Sequence, residues 1–245
     1  MGEEGQRPSV LAVILAKDEE DRIGDVVAEV LGAARDLEAR LDVLVVDDGS
    51  TDRTSERARE AGARVIRHCV NLRIGAAEQT GIIWALERGY DAAVRLDGDG
   101  QHPAAGIGPL VREILEGGAD IAMGSRFLPP GEGYTSTPAR RAGIALLALL
   151  VSTLAGRRVT DPTSGFRAFG RRGMRLVAAL PASDYPEPET VIDARRAGLG
   201  VREVGVSFRA RASGHSSIGP LRALYYMAKI TLAVLVAGIR RAVNV

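Results

Sequence analysis

Apolar runs of strand length alternate with stretches of helix length through the first hundred residues, and this alternation limits the folds open to the chain. The runs fall at residues 10–16, 42–47, 63–68 and 91–97, with helical patterning at 23–40, 52–61 and 76–88 between them. Strands that return in the same direction through a helix make βαβ units. The expected product is an α/β fold, a mostly parallel sheet covered by helices on both faces. A further helix at 104–116 and strand at 120–124 continue the series, and no internal repeat or low-complexity tract interrupts it. At 245 residues the chain is long enough to bury a sizeable core without staples. Cys69 is the only cysteine, which excludes an intrachain disulfide and a cysteine-built zinc site and fits a reducing compartment.

The formal charge of +1 argues against wrapping nucleic acid by bulk electrostatics, so no nucleic-acid partner is expected. The charge is uneven: between residues 202 and 241 seven basic residues stand against one acid, Glu203. The polar start, MGEEGQRPS, lacks the apolar heart of a signal peptide, and the chain reads as cytoplasmic. A Pro/Gly-rich stretch, LPPGEGYTSTP at 128–138, reads as a long functional loop. Two apolar stretches follow, at 142–156 and 223–239. The first is shorter than the roughly 20 residues a bilayer requires, and Lys229 interrupts the second. Arg140, Arg141, Arg157, Arg158, Arg240 and Arg241 flank them. That pattern points to peripheral contact with a membrane surface rather than a full span. Burial in the core, or a homo-oligomer contact, is the other use of such helices.

Two strand ends carry paired acids. In VRLDGDGQHP, Asp97 and Asp99 are one residue apart in an extended segment, so both side chains leave on the same side and can meet one ion. Oxygen donors select Mg2+ or Mn2+, and Gln101 offers a third, neutral oxygen. An Asp-Gly turn before a proline-started helix is the alternative reading. In LVVDDGSTD, Gly49 makes a turn and Ser50 or Thr51 caps the next helix, which leaves Asp47 and Asp48 at the carboxyl edge of the sheet, where α/β folds bind ligands. No G-x-G-x-x-G follows the first strand and no P-loop occurs. His68, His102 and His215 are too scattered for a zinc motif, and no serine nucleophile elbow is present.

In order, AKDEED, VVDDGSTD, RHCVNLRIGAA, LDGDGQHP, GSRF, DPTSGFRAF and FRARASGHSS resemble the inverting family 2 glycosyltransferases, most closely the dolichyl- or polyprenyl-phosphate sugar synthases. The resemblance runs from about residue 10 to 217 and implies a GT-A fold with one Rossmann-like domain at 1–217. Its nucleotide-sugar half would lie at about 8–103 and its acceptor half at 104–217, with an apolar, basic C-terminal helix at 218–245. It implies a nucleotide-sugar donor of GDP-mannose or UDP-glucose type, a polyprenyl-phosphate lipid acceptor, and Mg2+ or Mn2+ held by Asp97, Asp99 and Gln101. Lys17, Glu19, Asp47, Asp48, Asn71, Arg73 and Asp97 would bind the nucleotide. Arg126, Ser164, Arg167, Arg211 and Ser216 would line the acceptor phosphate, with Asp99, Arg126 and Arg211 nearest the reaction. Glu189 falls at the acidic position that relatives with hydroxyl acceptors use as a base. Three positions depart from the family pattern: Leu15-Ala16-Lys17-Asp18-Glu19 replaces Pro-x-x-Asn-Glu, Ser217 stands for a basic residue, and Gly205 for a proline.

Overall fold

In the computed structural model, residues 7–131, 137–184, 186–209, 220–240 and 243 are described. Seven strands form one sheet in the order β3-β2-β1-β4-β6-β5-β7: β1 Ser9–Ala16, β2 Arg40–Asp47, β3 Arg64–Arg67, β4 Ala92–Asp97, β5 Ile121–Ser125, β6 Arg167–Gly170 and β7 Val201–Gly205. Only β6 runs antiparallel to its neighbours β4 and β5. The helices are α1 Ile23–Ala33, α2 Thr54–Glu60, α3 Ile74–Glu87, α4 Ile107–Leu115, α5 Pro138–Ala155, α6 Arg171–Ala179, α7 Pro186–Arg196 and α8 Pro220–Ile239.

The central strand β1 is almost wholly apolar because the sheet is covered on both faces. In β1, Leu11, Val13 and Leu15 enter one core with α3 and α5 to α8, while Val10, Ala12 and Ile14 enter the other with α1 and α4. Leu11, Ile14 and Leu44 are fully buried, and each such side chain contributes about 1.5–3 kcal/mol of transfer free energy. The helix expected at 23–40 is shorter. Its buried stripe, Ile23, Val26, Val27 and Val30, ends with α1 at Ala33, a 3₁₀ turn covers Ala34–Asp36, and Leu37 is already extended. Likewise a 3₁₀ turn, Ala104–Gly106, opens the helix expected to start at 104.

Both apolar stretches beyond residue 140 are helices with one face in the core. In α5 Ile144, Leu147, Ala148, Val151 and Ala155 are buried, and in α8 Ile230, Val234 and Ala237 are, so α8 shares the core of the main domain. Their other faces are apolar too, with Leu146, Leu149 and Leu232 at 66%, 65% and 63% exposure. Two of the flanking arginines turn inward. Arg157 donates to the Val201 carbonyl, and Arg240 pairs with Asp193 of α7. No helix among the described residues is long and apolar enough to cross a membrane.

Candidate active site

After β1 the chain moves outward to β2 and β3 and then crosses back to β4, so the ends of β1 and β4 flank the point where strand order reverses. The loops leaving β1 and β2 are laced together there. The Asp18 amide donates to Ser50 Oγ (2.9 Å), the Glu19 amide to Thr54 Oγ1 (2.8 Å) and the Glu20 amide to Asp52 Oδ2 (3.1 Å). In return Asp18 Oδ1 accepts from the Thr51 amide (2.7 Å) and Glu20 from the Arg53 amide (3.0 Å). Lys17 lies 2.6 Å from Asp18 Oδ2, and its hydrogen bond is the chief reason the Asp18 carboxyl sits below its ordinary value. Lys17 and Glu19 thus stand at the strand-order reversal.

The Asp47-Asp48 pair divides its work. Asp47 is fully buried; it accepts from the Ser50 amide (2.8 Å) and from the Ser55 hydroxyl, which fixes the Gly49 turn. Asp48 reaches across to the segment before α3. Its Oδ1 accepts from the Leu72 amide and its Oδ2 from the Arg73 amide, both at 2.8 Å. Asn71 Oδ1 also accepts from the Arg73 amide (2.9 Å). The exposed Arg73 guanidinium lies 3.8 Å from Asp184, which also pairs with Lys229 of α8. Lys229 and that hydrogen bond depress the Asp184 carboxyl.

Asp97 ends β4 with its side chain 33% exposed, and Asp99 accepts from the Gln101 amide (3.0 Å). Among the described residues no three acidic, histidine or cysteine side chains converge on a metal position. The donors here are two carboxylates and one amide, a set that suits a hard divalent ion whose shell is completed by water or phosphate oxygens. His102 supports Asp97. Its Nδ1 accepts from the Asp97 amide (3.1 Å), which places the ring hydrogen on Nε2, 3.9 Å from Asp97 Oδ2. The ring stacks on Phe166 with centroids 4.9 Å apart, and burial pulls its pKa down.

Beneath Asp97 lies a buried charge cluster. Arg95, two residues earlier on the same side of β4, is 1% exposed and touches Glu187 (2.8 Å), Glu78 (3.4 Å) and Asp97 (3.4 Å). These carboxylates hold the guanidinium charged despite desolvation, while burial lifts Glu78 above the ordinary carboxylate range. The α7 acid linked to Asp97 through Arg95 is therefore Glu187. Glu189 points elsewhere: it accepts from Ser183 Oγ (2.9 Å), lies 3.9 Å from Arg240, and burial raises its pKa.

Residues 11–179 match the model of Glycosyl transferase family 2. The chain belongs to this family. It is 30% identical to an undecaprenyl-phosphate mannosyltransferase of Micrococcus luteus, over 77% of this chain and 80% of the relative. A polyprenol monophosphomannose synthase of Mycolicibacterium smegmatis is 31% identical, over 77% of this chain and 74% of that protein. Among solved structures, glucosyl-3-phosphoglycerate synthase from Mycobacterium tuberculosis in complex with Mn2+, UDP-glucose and phosphoglyceric acid superposes with a TM-score of 0.71 at 22% identity, covering 96% of this chain and 81% of that one. The fold is GT-A, and the chain is a glycosyltransferase.

The residues expected from sequence to line the acceptor phosphate have these partners in the fold. Arg126 makes a bidentate pair with the fully buried Asp161, 2.6 Å at Nε, and also meets Thr163 (2.6 Å). Arg167 is buried and donates to the carbonyls of Ser164 (2.8 Å) and Pro162 (3.2 Å). Both guanidiniums thus shape the 161–164 turn, because a buried arginine needs acceptors and the turn supplies them. Ser164 Oγ is buried with no hydrogen-bond partner among the described residues. Arg211 and Ser216 lie outside the described residues. The departure at Gly205 has a steric reason: a Cβ there would stand 1.7 Å from the Pro129 carbonyl oxygen, so the loop after β5 closes directly on β7 backbone.

Asp161, Arg95 and Glu187 were not singled out from sequence. Arg95 had a signal, since a charged residue inside AAVRLD must be paired once both faces of the sheet are covered. Asp161 had none beyond its place in DPTSGFR.

Proposed function

We propose that this chain transfers a hexose from a nucleotide-sugar donor, of GDP-mannose or UDP-glucose type, to the phosphate of a polyprenyl phosphate at the cytoplasmic face of a membrane, with inversion. The observation that carries this reading is the state of the two α7 carboxylates. Glu187 is held by Arg95, and Glu189 by Ser183 and Arg240, so neither is placed as a free base. A hydroxyl acceptor needs such a base. An acceptor phosphate, with a second pKa of about 6, is already anionic at neutral pH. The printed activities of the mannosyltransferase relatives support the same choice.

In this reading the acceptor oxygen attacks the anomeric carbon opposite the leaving diphosphate, and the bond to the diphosphate breaks with its electron pair. Bound Mg2+ or Mn2+ would neutralise the charge left on the diphosphate, held by Asp97, Asp99 and Gln101. Asn71 and Arg73 contact the diphosphate side, and the Lys17–Glu19 loop contacts the nucleoside. Asp47 supports the nucleotide side through the Gly49 turn. Arg126 and Arg167 hold the turn that presents Ser164, whose unpartnered hydroxyl is left for a ligand or water. Arg211 and Ser216 remain the acceptor-phosphate candidates on sequence grounds. The outward apolar faces of α5 and α8 lie against the lipid.

The test is a panel of nucleotide sugars, each with Mg2+ or Mn2+ and a short polyprenyl phosphate, scored for radiolabelled lipid. One donor should give labelled product. A panel blank for lipid but positive for a hydroxyl acceptor overturns the proposal.

A further inference from the structure

The segment 70–73, which carries Asn71 and Arg73, is poorly held by packing. Val70 and Leu72 are 62% and 50% exposed, so their apolar side chains do little to fix it. Its geometry is also costly, because Arg73 sits at φ 76°, a region that disfavours a residue with a Cβ by about 1–3 kcal/mol. Surrounding contacts must supply the restraint. From below comes Gly49, where a Cβ would stand 2.6 Å from the Val70 carbonyl carbon. From the side come the two hydrogen bonds to Asp48.

Asp48 is in turn aimed by a chain running into α3. His68 Nδ1 lies 2.8 Å from Asp48 Oδ1, and His68 Nε2 lies 3.0 Å from Thr80 Oγ1. Thr80 Oγ1 also lies 2.9 Å from the Ala76 carbonyl oxygen, so its one hydrogen serves that carbonyl or the ring nitrogen Nε2. An ionised carboxylate only accepts, so Nδ1 donates to Asp48 and the contact is charge-assisted. The imidazole, 9% exposed at its side chain, thus ties the end of β2 to α3.

We propose that His68 is a positioning residue for donor binding: through Asp48 it holds segment 70–73 so that Asn71 and Arg73 face the donor diphosphate. His68 touches neither donor nor acceptor. The inference rests on the reading of Asn71 and Arg73 given under Proposed function.

The experiment is titration calorimetry with GDP and with UDP in Mn2+, alongside steady-state kinetics with GDP-mannose and UDP-glucose. His68→Leu should weaken binding of whichever nucleotide the wild type takes by about tenfold or more, the usual scale for an outer-shell partner. It should raise the donor KM with kcat changed less than about twofold, as expected for a loss confined to binding. The effect should shrink to under about twofold in an Arg73→Ala background, because the cycle isolates what His68 does through that side chain. Thr80→Val should shift KM in the same direction, and Thr80→Ser should restore it. If His68→Leu does not fold, the Thr80 pair decides by the same criteria. An equal effect with and without Arg73, or a fall in kcat at unchanged KM, overturns the inference. A wild type that binds neither nucleotide overturns the donor reading itself, which is a separate outcome.

Discussion

The edge formed by the loops after β1 and β2 and the outward face of α5 and α8 are built on opposite principles. At the edge, Asp18, Asp47, Asp48 and Asp52 each accept from backbone amides or hydroxyls, and the two loops cross-link through residues 18–20 and 50–54. Such a surface is ordered before any ligand arrives, which suits a small charged molecule recognised by direction. The α5/α8 face offers Leu146, Leu149, Leu232 and Leu235, apolar area with no directional groups. That suits a surface met over area, as a lipid is. In the proposed function the first region would select the nucleotide sugar and the second would meet the membrane.

The comparison breaks first if the charged edge proves dispensable. Asp99→Asn should abolish measurable turnover, by at least about 10²–10³-fold, since in the proposed function it removes a carboxylate that would hold the ion neutralising the leaving diphosphate. The half-exposed Asp99 accepts from the Gln101 amide, which an asparagine oxygen can replace, so melting should be little changed. Electron paramagnetic resonance of added Mn2+ should show weakened binding, and chelation should silence the wild type. Wild-type rates in excess chelator would remove the metal from the mechanism.

Next comes the border between the two regions. Asp161→Asn leaves the Arg126 guanidinium buried without its carboxylate, and breaking a buried pair costs about 3–5 kcal/mol. Denaturant unfolding measures the loss, and Arg126→Met with Asp161→Leu should recover most of it. Undiminished stability with lost activity would instead return Arg126 to the acceptor phosphate.

Much of this architecture was legible in the sequence, and the limits have physical causes. β1, β2 and β4 stand out because strands covered on both faces are mostly apolar. Helix α1 was overrun because Ala33, Ala34 and Leu37 keep an apolar rhythm after the buried stripe ends at Val30. The paired acids were found, but spacing does not show what fills a carboxylate, and backbone amides from a segment 24 residues away fill Asp48. Residue type alone does not show what partners an arginine finds, and Arg126 and Arg167 find theirs in the 161–164 turn. Among the α7 acids the sequence pattern pointed to Glu189, and the contact of Glu187 with Arg95 was not legible because it joins residues 92 positions apart.

The apolar face is tested by charge. Leu149→Glu together with Leu232→Glu should cut the fraction floating with phosphatidylglycerol vesicles at least tenfold, because each leucine transferred from water contributes about 1.5–3 kcal/mol. Binding of the donor nucleotide should be unchanged, since neither residue lies at the β1/β2 edge. If the unaltered chain does not float, the lipid assignment fails, and a sedimentation shift on mutation would assign the face to a second copy.

The smallest effect is expected at Glu189. Its folded pKa is raised, chiefly by burial, above the ordinary carboxylate value of about 4.3. The folded protein then holds this proton more tightly than the unfolded chain, so wild-type stability falls as pH rises from that ordinary value through the raised one. Glu189→Gln cannot ionise and still accepts from Ser183 Oγ, so the variant should gain on the wild type across that window and keep a constant lead above it. Thermal melts at stepped pH measure the gap. With a polyprenyl-phosphate acceptor turnover should stay within about twofold, whereas a general base replaced by an amide costs about 10²–10⁴-fold. A loss of that size, in a variant that melts like the wild type, would mean that the acceptor brings a hydroxyl and that Glu189 turns from Ser183 to take its proton.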